Sequence, residues 1–145
     1  MRGDEMDINS LDRFLKAQEN VFPVAMEELM RGKKQSHWMW FMFPQLRGLG
    51  TSAMAHIYGL SGLEEAIAYL EHPTLSGRLL ELCGALLRHK DKTACEIFGH
   101  IDAMKLCSSM TLFALTSEEY TIFDEIIDVF FDGKMDLRTL EMVNK

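Results

Sequence analysis

Apolar positions recur along most of the chain with the spacing of one helical face. Leu11, Phe14 and Leu15, with Gln18 one turn on, stand at offsets 0, 3, 4 and 7 behind Asn9-Ser10, which supply caps. A second helix is predicted from Pro23, suited to a first turn, through Met26, Leu29 and Met30 to a stop at Gly32. Pro73 opens a helix carrying Leu75, Leu79, Leu82 and Leu86, with His72 before it as the cap. Ser61-Gly62-Leu63-Glu64 and Thr93-Ala94-Cys95-Glu96 both have the capping-box spacing. Asp102 is placed to cap a helix over 103–115, Gly133 to close one over 118–132, and Asp136 to begin a short last one.

One segment departs from this alternation. In Trp38–Phe43 six large apolar residues follow one another without interruption. A run that short fits a buried strand or a buried helix, and Ser36 before it and Pro44 after it favour a helix. No Asn-Gly or Asp-Gly hairpin joins alternating strands, and no repeat or low-complexity tract divides the chain. The expected architecture is all-α: a compact single domain of about seven or eight short helices over 10–145, with 1–9 a flexible N-terminal extension.

Composition adds limits. A chain of 145 residues, 48% hydrophobic and 26% charged, has the make-up of one soluble globular domain. The apolar run is far short of the roughly 20 residues a membrane helix needs, and the acidic start shows no secretory pattern. Cys83, Cys95 and Cys107 are odd in number and fit no zinc template, so they are expected as free thiols in a cytoplasmic protein. The net charge of −7 argues against extended nucleic-acid binding. That charge is uneven: residues 29–63 hold Arg31, Lys33, Lys34 and Arg47 and no Asp or Glu. Such a segment can receive one small anion.

The string KQSHWMWFMFPQLRGLG at 34–50 is distinctive. Together with Ala17-Gln18, Tyr58-Gly59, Ile97-Phe98-Gly99 and the Ser108-Ser109-Met110-Thr111-Leu112-Phe113 stretch, it closely resembles a bacterial domain family of unknown function, some of whose members carry the label calpastatin. The resemblance runs from about 10 to 142 and implies a largely helical single domain, with no reaction or cofactor attached. It departs after Ala-Gln, where this chain has Phe22 in place of a tyrosine, and so no phenolic role is carried over. Calpastatin-type inhibitors are disordered and poor in apolar residues, whereas this chain has the periodicity of a packed core.

The candidate chemistry gathers around the aromatic run. On a helix, Lys33, His37, Trp40 and Pro44 would share one face, and Lys34, Trp38, Phe41 and Gln45 the next. Packing alone accounts for Met39, Phe41, Met42 and Phe43, but leaves two indole N–H groups needing partners beside cations and an amide. Trp38 or Trp40 is expected to stack on a ring, Lys33, Lys34 and Arg47 to neutralise an anion, and Gln45 to orient it. His37 is the candidate general acid or base. Gly48, Gly50 and Ser52 offer backbone N–H groups at a helix start, although the stretch matches neither the P-loop nor the dinucleotide fingerprint. Lys105 and Ser109, four apart, would close the site from a second helix. The five histidines form no metal set, and no cofactor motif is present.

The leading expectation is therefore a domain that binds, or binds and hydrolyses, a small anionic molecule such as a nucleotide or nucleotide sugar. It takes neither nucleic acid nor membrane as partner, and its oligomeric state is open. The alternative is a non-enzymatic interaction module that docks through an aromatic patch or through the acidic C-terminal helices, residues 117–145 holding eight acids and three bases.

Overall fold

The computed structural model describes residues 10–144; the expected extension at 1–9 lies outside them. Ten helices follow in order: α1 (Asp12–Gln18), α2 (Phe22–Met30), α3 (Met39–Met42), α4 (Ala53–Tyr58), α5 (Leu63–Glu71), α6 (Pro73–Leu87), α7 (Ala94–Phe98), α8 (His100–Thr116), α9 (Ile122–Phe131) and α10 (Leu137–Val143). The chain is all-α. Among the described residues the only β-type pairing is a single bridge between Leu46 and Leu60, which pins the loop after α3 to the loop after α4. No described helix is long and apolar enough to cross a membrane.

The centre of the fold is α8, which packs against α5, α7, α9 and α10. From Ser108 to Phe113 every residue of α8 is buried, as expected of a helix enclosed on all sides. Around it, α2 lies against α6, α6 against α9 and α5, and α1 against α3 and α6. Phe14, Trp38, Phe43, Tyr69, Phe113 and Phe123 are among the largest fully buried side chains. Edge-to-face and tilted ring pairs at 5.1–6.5 Å join Phe14 to Tyr69, Tyr69 to Phe113, and Trp38 to Phe43 and Phe98.

Helix starts follow local signals where capping is purely local. Thr93 and Glu96 form the full reciprocal box, His72 Nδ1 accepts from Leu75 N at 3.4 Å, and Asp136 accepts from Thr139 N at 2.9 Å. Several boundaries differ from expectation, among them the start of α9, at Ile122 and not at 118. Helix α8 begins at His100 behind Gly99, so Asp102 sits inside its first turn and caps nothing. The N-cap of α5 is Gly62, with Ser61 N donating to Glu65 instead of pairing with Glu64. The helix expected between Ser36 and Pro44 is one turn, Met39–Met42, with Trp38 in place of Ser36 at its start and the Ser36 N–H donated to Glu28.

Two buried polar side chains tie the first helix to the rest. Arg13, 1% exposed, makes a two-pronged pair with Glu65 and donates to the Ile57, Gly59 and Ser10 carbonyls. Gln18 donates to Phe41 O at 2.7 Å and Tyr69 Oη at 2.9 Å. Gly59 is required by close approach: a Cβ there would lie 2.5 Å from Arg47 Cα and 2.7 Å from Ala55 O.

Candidate functional site

The residues before the aromatic run are shaped by one acid. Glu28, in the last turn of α2, is 6% exposed. Its Oε1 accepts from Gln35 N at 2.8 Å, Ser36 N at 3.0 Å and the Trp38 indole at 2.9 Å, and its Oε2 from the Ser36 hydroxyl. Burial works against the carboxylate, but these four donors outweigh it and hold its pKa down at about 2. The Trp38 N–H therefore has its partner ten residues back in sequence. Trp38 itself is 0% exposed and packs on Phe43 and Phe98, so its ring faces no solvent.

Next to this acid lies a chain of alternating charge. Lys34, whose side chain is only 7% exposed, pairs with Asp102 Oδ2 at 2.8 Å, donates to Ser36 O, and lies 5.0 Å above the Trp38 ring. Lys105 approaches the other oxygen of Asp102 at 3.6 Å and lies 5.0 Å above the Trp40 ring. Asp102 thus sits between two lysines that each rest on an indole. This explains why it is not a cap. The 3.6 Å contact is too long for a hydrogen bond, so the Lys105 ammonium keeps its donors free of hydrogen bonds among the described residues.

Lys105 stands at the wall of a small cavity that joins the aromatic segment to α8. Trp40, Gln45, Tyr58 and Gly59 line the rest, with Met39, Phe43 and Ala55. Its volume of about 10 Å³ is roughly that of one water position. The Gln45 amide and the Tyr58 hydroxyl, like Lys105, donate to no described residue. Burial raises the Tyr58 pKa, against the opposing charge of Arg13, which keeps the phenol protonated and able to donate.

The other predicted residues fall outside this cluster. Lys33 and His37 are exposed, and His37 does not line the cavity. Arg47 is half-buried, its Nε donating to His56 O at 2.9 Å. Gly48 is exposed with φ of +105°, and Gly50 packs against α4, where a Cβ would lie 2.7 Å from that of Ala55. Ser52 accepts from Ala55 N as the cap of α4, so its hydroxyl serves the chain itself. Ser109 is fully buried, and its hydroxyl is the one buried side-chain polar atom among the described residues with no partner. A docking face built on tryptophans would need them exposed; Trp38 is buried and Trp40 half-buried. Among the described residues no three of His, Cys, Asp and Glu are placed to hold a metal.

Sequence reasoning missed Glu28 and Asp102, the two acids that organise the site. Asp102 was visible as an acid three residues before Lys105, while Glu28 carries no local signal. It also treated Lys34 and Lys105 alike, where the structure separates an ammonium held by two acceptors from one that is open.

Comparison with known proteins agrees with this fold. The sequence model of a family described as "Protein of unknown function (DUF1810)" matches residues 8–143. The crystal structure of the conserved hypothetical protein Rv1873 from Mycobacterium tuberculosis superposes with a TM-score of 0.93 at 45% identity, covering 96% of this chain and 99% of that one. No curated protein matches.

Proposed function

We propose that this chain, which belongs to the DUF1810 family of unknown function, binds a small phosphate- or carboxylate-bearing molecule at the Trp40–Lys105–Gln45 cleft. The observation that carries this reading is the Lys105 ammonium. It is 22% exposed, shares one carboxylate with a second lysine, and has no hydrogen bond among the described residues. Lys105 is the open end of the alternating chain Glu28, Lys34, Asp102 and Lys105, and its ammonium lies in a partly desolvated place, where an anion gains more than it would at an open surface. An entering anion draws Lys105 towards itself and frees the Trp40 face for a planar ring, while the cavity floor takes one oxygen between Gln45 and Tyr58. A nucleotide or nucleotide sugar has both parts. His37 stands exposed outside the cavity lining, so the proposal is binding and includes no hydrolytic step. The three free cysteines support a reducing, cytoplasmic setting.

Calorimetric titration with AMP, UDP-glucose and inorganic phosphate tests this. The expected result is saturable binding of at least one nucleotide, weakened roughly tenfold or more in Lys105→Gln, with the melting temperature unchanged. Quenching by the ligand should persist in Trp38→Phe and vanish in Trp40→Phe. Absence of binding by all three probes, or equal binding by Lys105→Gln, overturns the proposal.

A further inference from the structure

We infer that the protein has a second small-molecule site, independent of the first, which takes a free amphiphilic carboxylate in an apolar cavity between α7, α8 and α10. At 100° per residue, His100, Ala103, Met104 and Cys107 lie on the face of α8 roughly opposite Asp102, Lys105 and Ser109. That face borders an open cavity of about 500 Å³ flanked by α7, the end of α9 and the start of α10. The volume is within the roughly 300–1,000 Å³ usual for ligand pockets. Its walls are mainly apolar, with Ala103, Phe130, Phe131 and Met135 among the lining residues. At the mouth Met104 and Leu137 stand 60% and 73% exposed, although residues this apolar are more often covered.

Charge complementarity decides the occupant. The cavity has one acid, Asp136, and its Oδ2 already accepts from Thr139 N at 2.9 Å and Thr139 Oγ1 at 2.6 Å. Its one cationic side chain, Arg138, is exposed and pairs with no described residue. An apolar body fills the cavity, and a carboxylate at its end meets the guanidinium in the two-pronged geometry that arginine favours. An amine at that end would meet Arg138 with like charge, and an alcohol would leave the guanidinium unpaired.

Two thiols on the lining, Cys95 exposed and Cys107 half-buried, report occupancy, while Cys83 is buried and silent. The experiment compares dodecanoate, dodecanol and dodecyltrimethylammonium, each below its micellar concentration or, for the alcohol, its solubility limit, by calorimetry and by the alkylation rates of Cys95 and Cys107. Dodecanoate is expected to bind one to one and to slow alkylation of Cys107 by roughly tenfold, with the alcohol weaker by a similar factor. Arg138→Glu should abolish the preference for the acid and favour the ammonium compound, while Lys105→Gln leaves dodecanoate binding unchanged. Met104→Glu, at a position 60% exposed, should block entry. Equal binding of acid and alcohol, an unaltered preference in Arg138→Glu, or binding without thiol protection each overturns the inference. So does uptake of none of the three.

Discussion

Replacing Glu28 by alanine tests the logic of the whole 34–50 segment, because it removes one acceptor group from four donors at once. The Trp38 indole is fully buried, and a buried donor without a partner costs about 1–3 kcal/mol. Gln35 N, Ser36 N and the Ser36 hydroxyl are only partly buried and can regain water, so each lost bond costs about 0.5–1 kcal/mol. The sum is about 2.5–6 kcal/mol, a fall in melting temperature of about 8–24 °C for a domain of this size. Glu28→Gln keeps a carbonyl oxygen at the position that serves three of the donors but gives up the charge they favour, and its loss should be about 1–3 kcal/mol. The pH dependence follows from the sign of the shift. Glu28 titrates at about 2 in the folded chain against an ordinary 4.5, so its contribution is complete above about 4.5 and disappears as pH falls towards 2. The stability gap between the native chain and Glu28→Gln should therefore narrow between pH 5 and pH 2. Urea unfolding followed by circular dichroism at several pH values measures both effects. A cost below about 1 kcal/mol for Glu28→Ala, or a gap that does not change with pH, would refute the reasoning.

Lys34→Ala should cost about 1–3 kcal/mol because it leaves Asp102 with only the longer Lys105 contact, whereas Lys105→Ala should cost less than about 1 kcal/mol; thermal melts of the pair separate the structural lysine from the open one. Gly59→Ala drives a Cβ into the Arg47 and Ala55 backbone and should lower stability by more than about 2 kcal/mol, seen as a lower urea midpoint at unchanged slope. Ser109→Ala deletes a buried hydroxyl that bonds to nothing described, and should be neutral or stabilising by up to about 1 kcal/mol in the same assay.

What was legible in the sequence depended on how far each signal had to reach. The Thr93–Glu96 box, Pro73 behind His72 and the Asp136 cap involve atoms within four residues of one another, and these starts form as read. The all-α class was legible for the same reason, since a 3.6-residue period is imposed locally and summed over many turns. Trp38–Phe43 showed that it would be buried, but not that it would wind for only one turn. Ahead of that turn, Glu28 accepts from Gln35 N, Ser36 N and the Trp38 indole, contacts from a helix eight to ten residues back that no local pattern announces. Asp102 had the local look of a cap, and only the arrival of Lys34 from 68 positions earlier gave its carboxylate a stronger partner. The apolar cavity beside α10 had no signal at all, because it is the space left between four elements rather than a property of any one of them. Short-range backbone geometry is written in neighbouring residues; the pairing of buried charges and the shape of empty space arise only when distant segments close on one another.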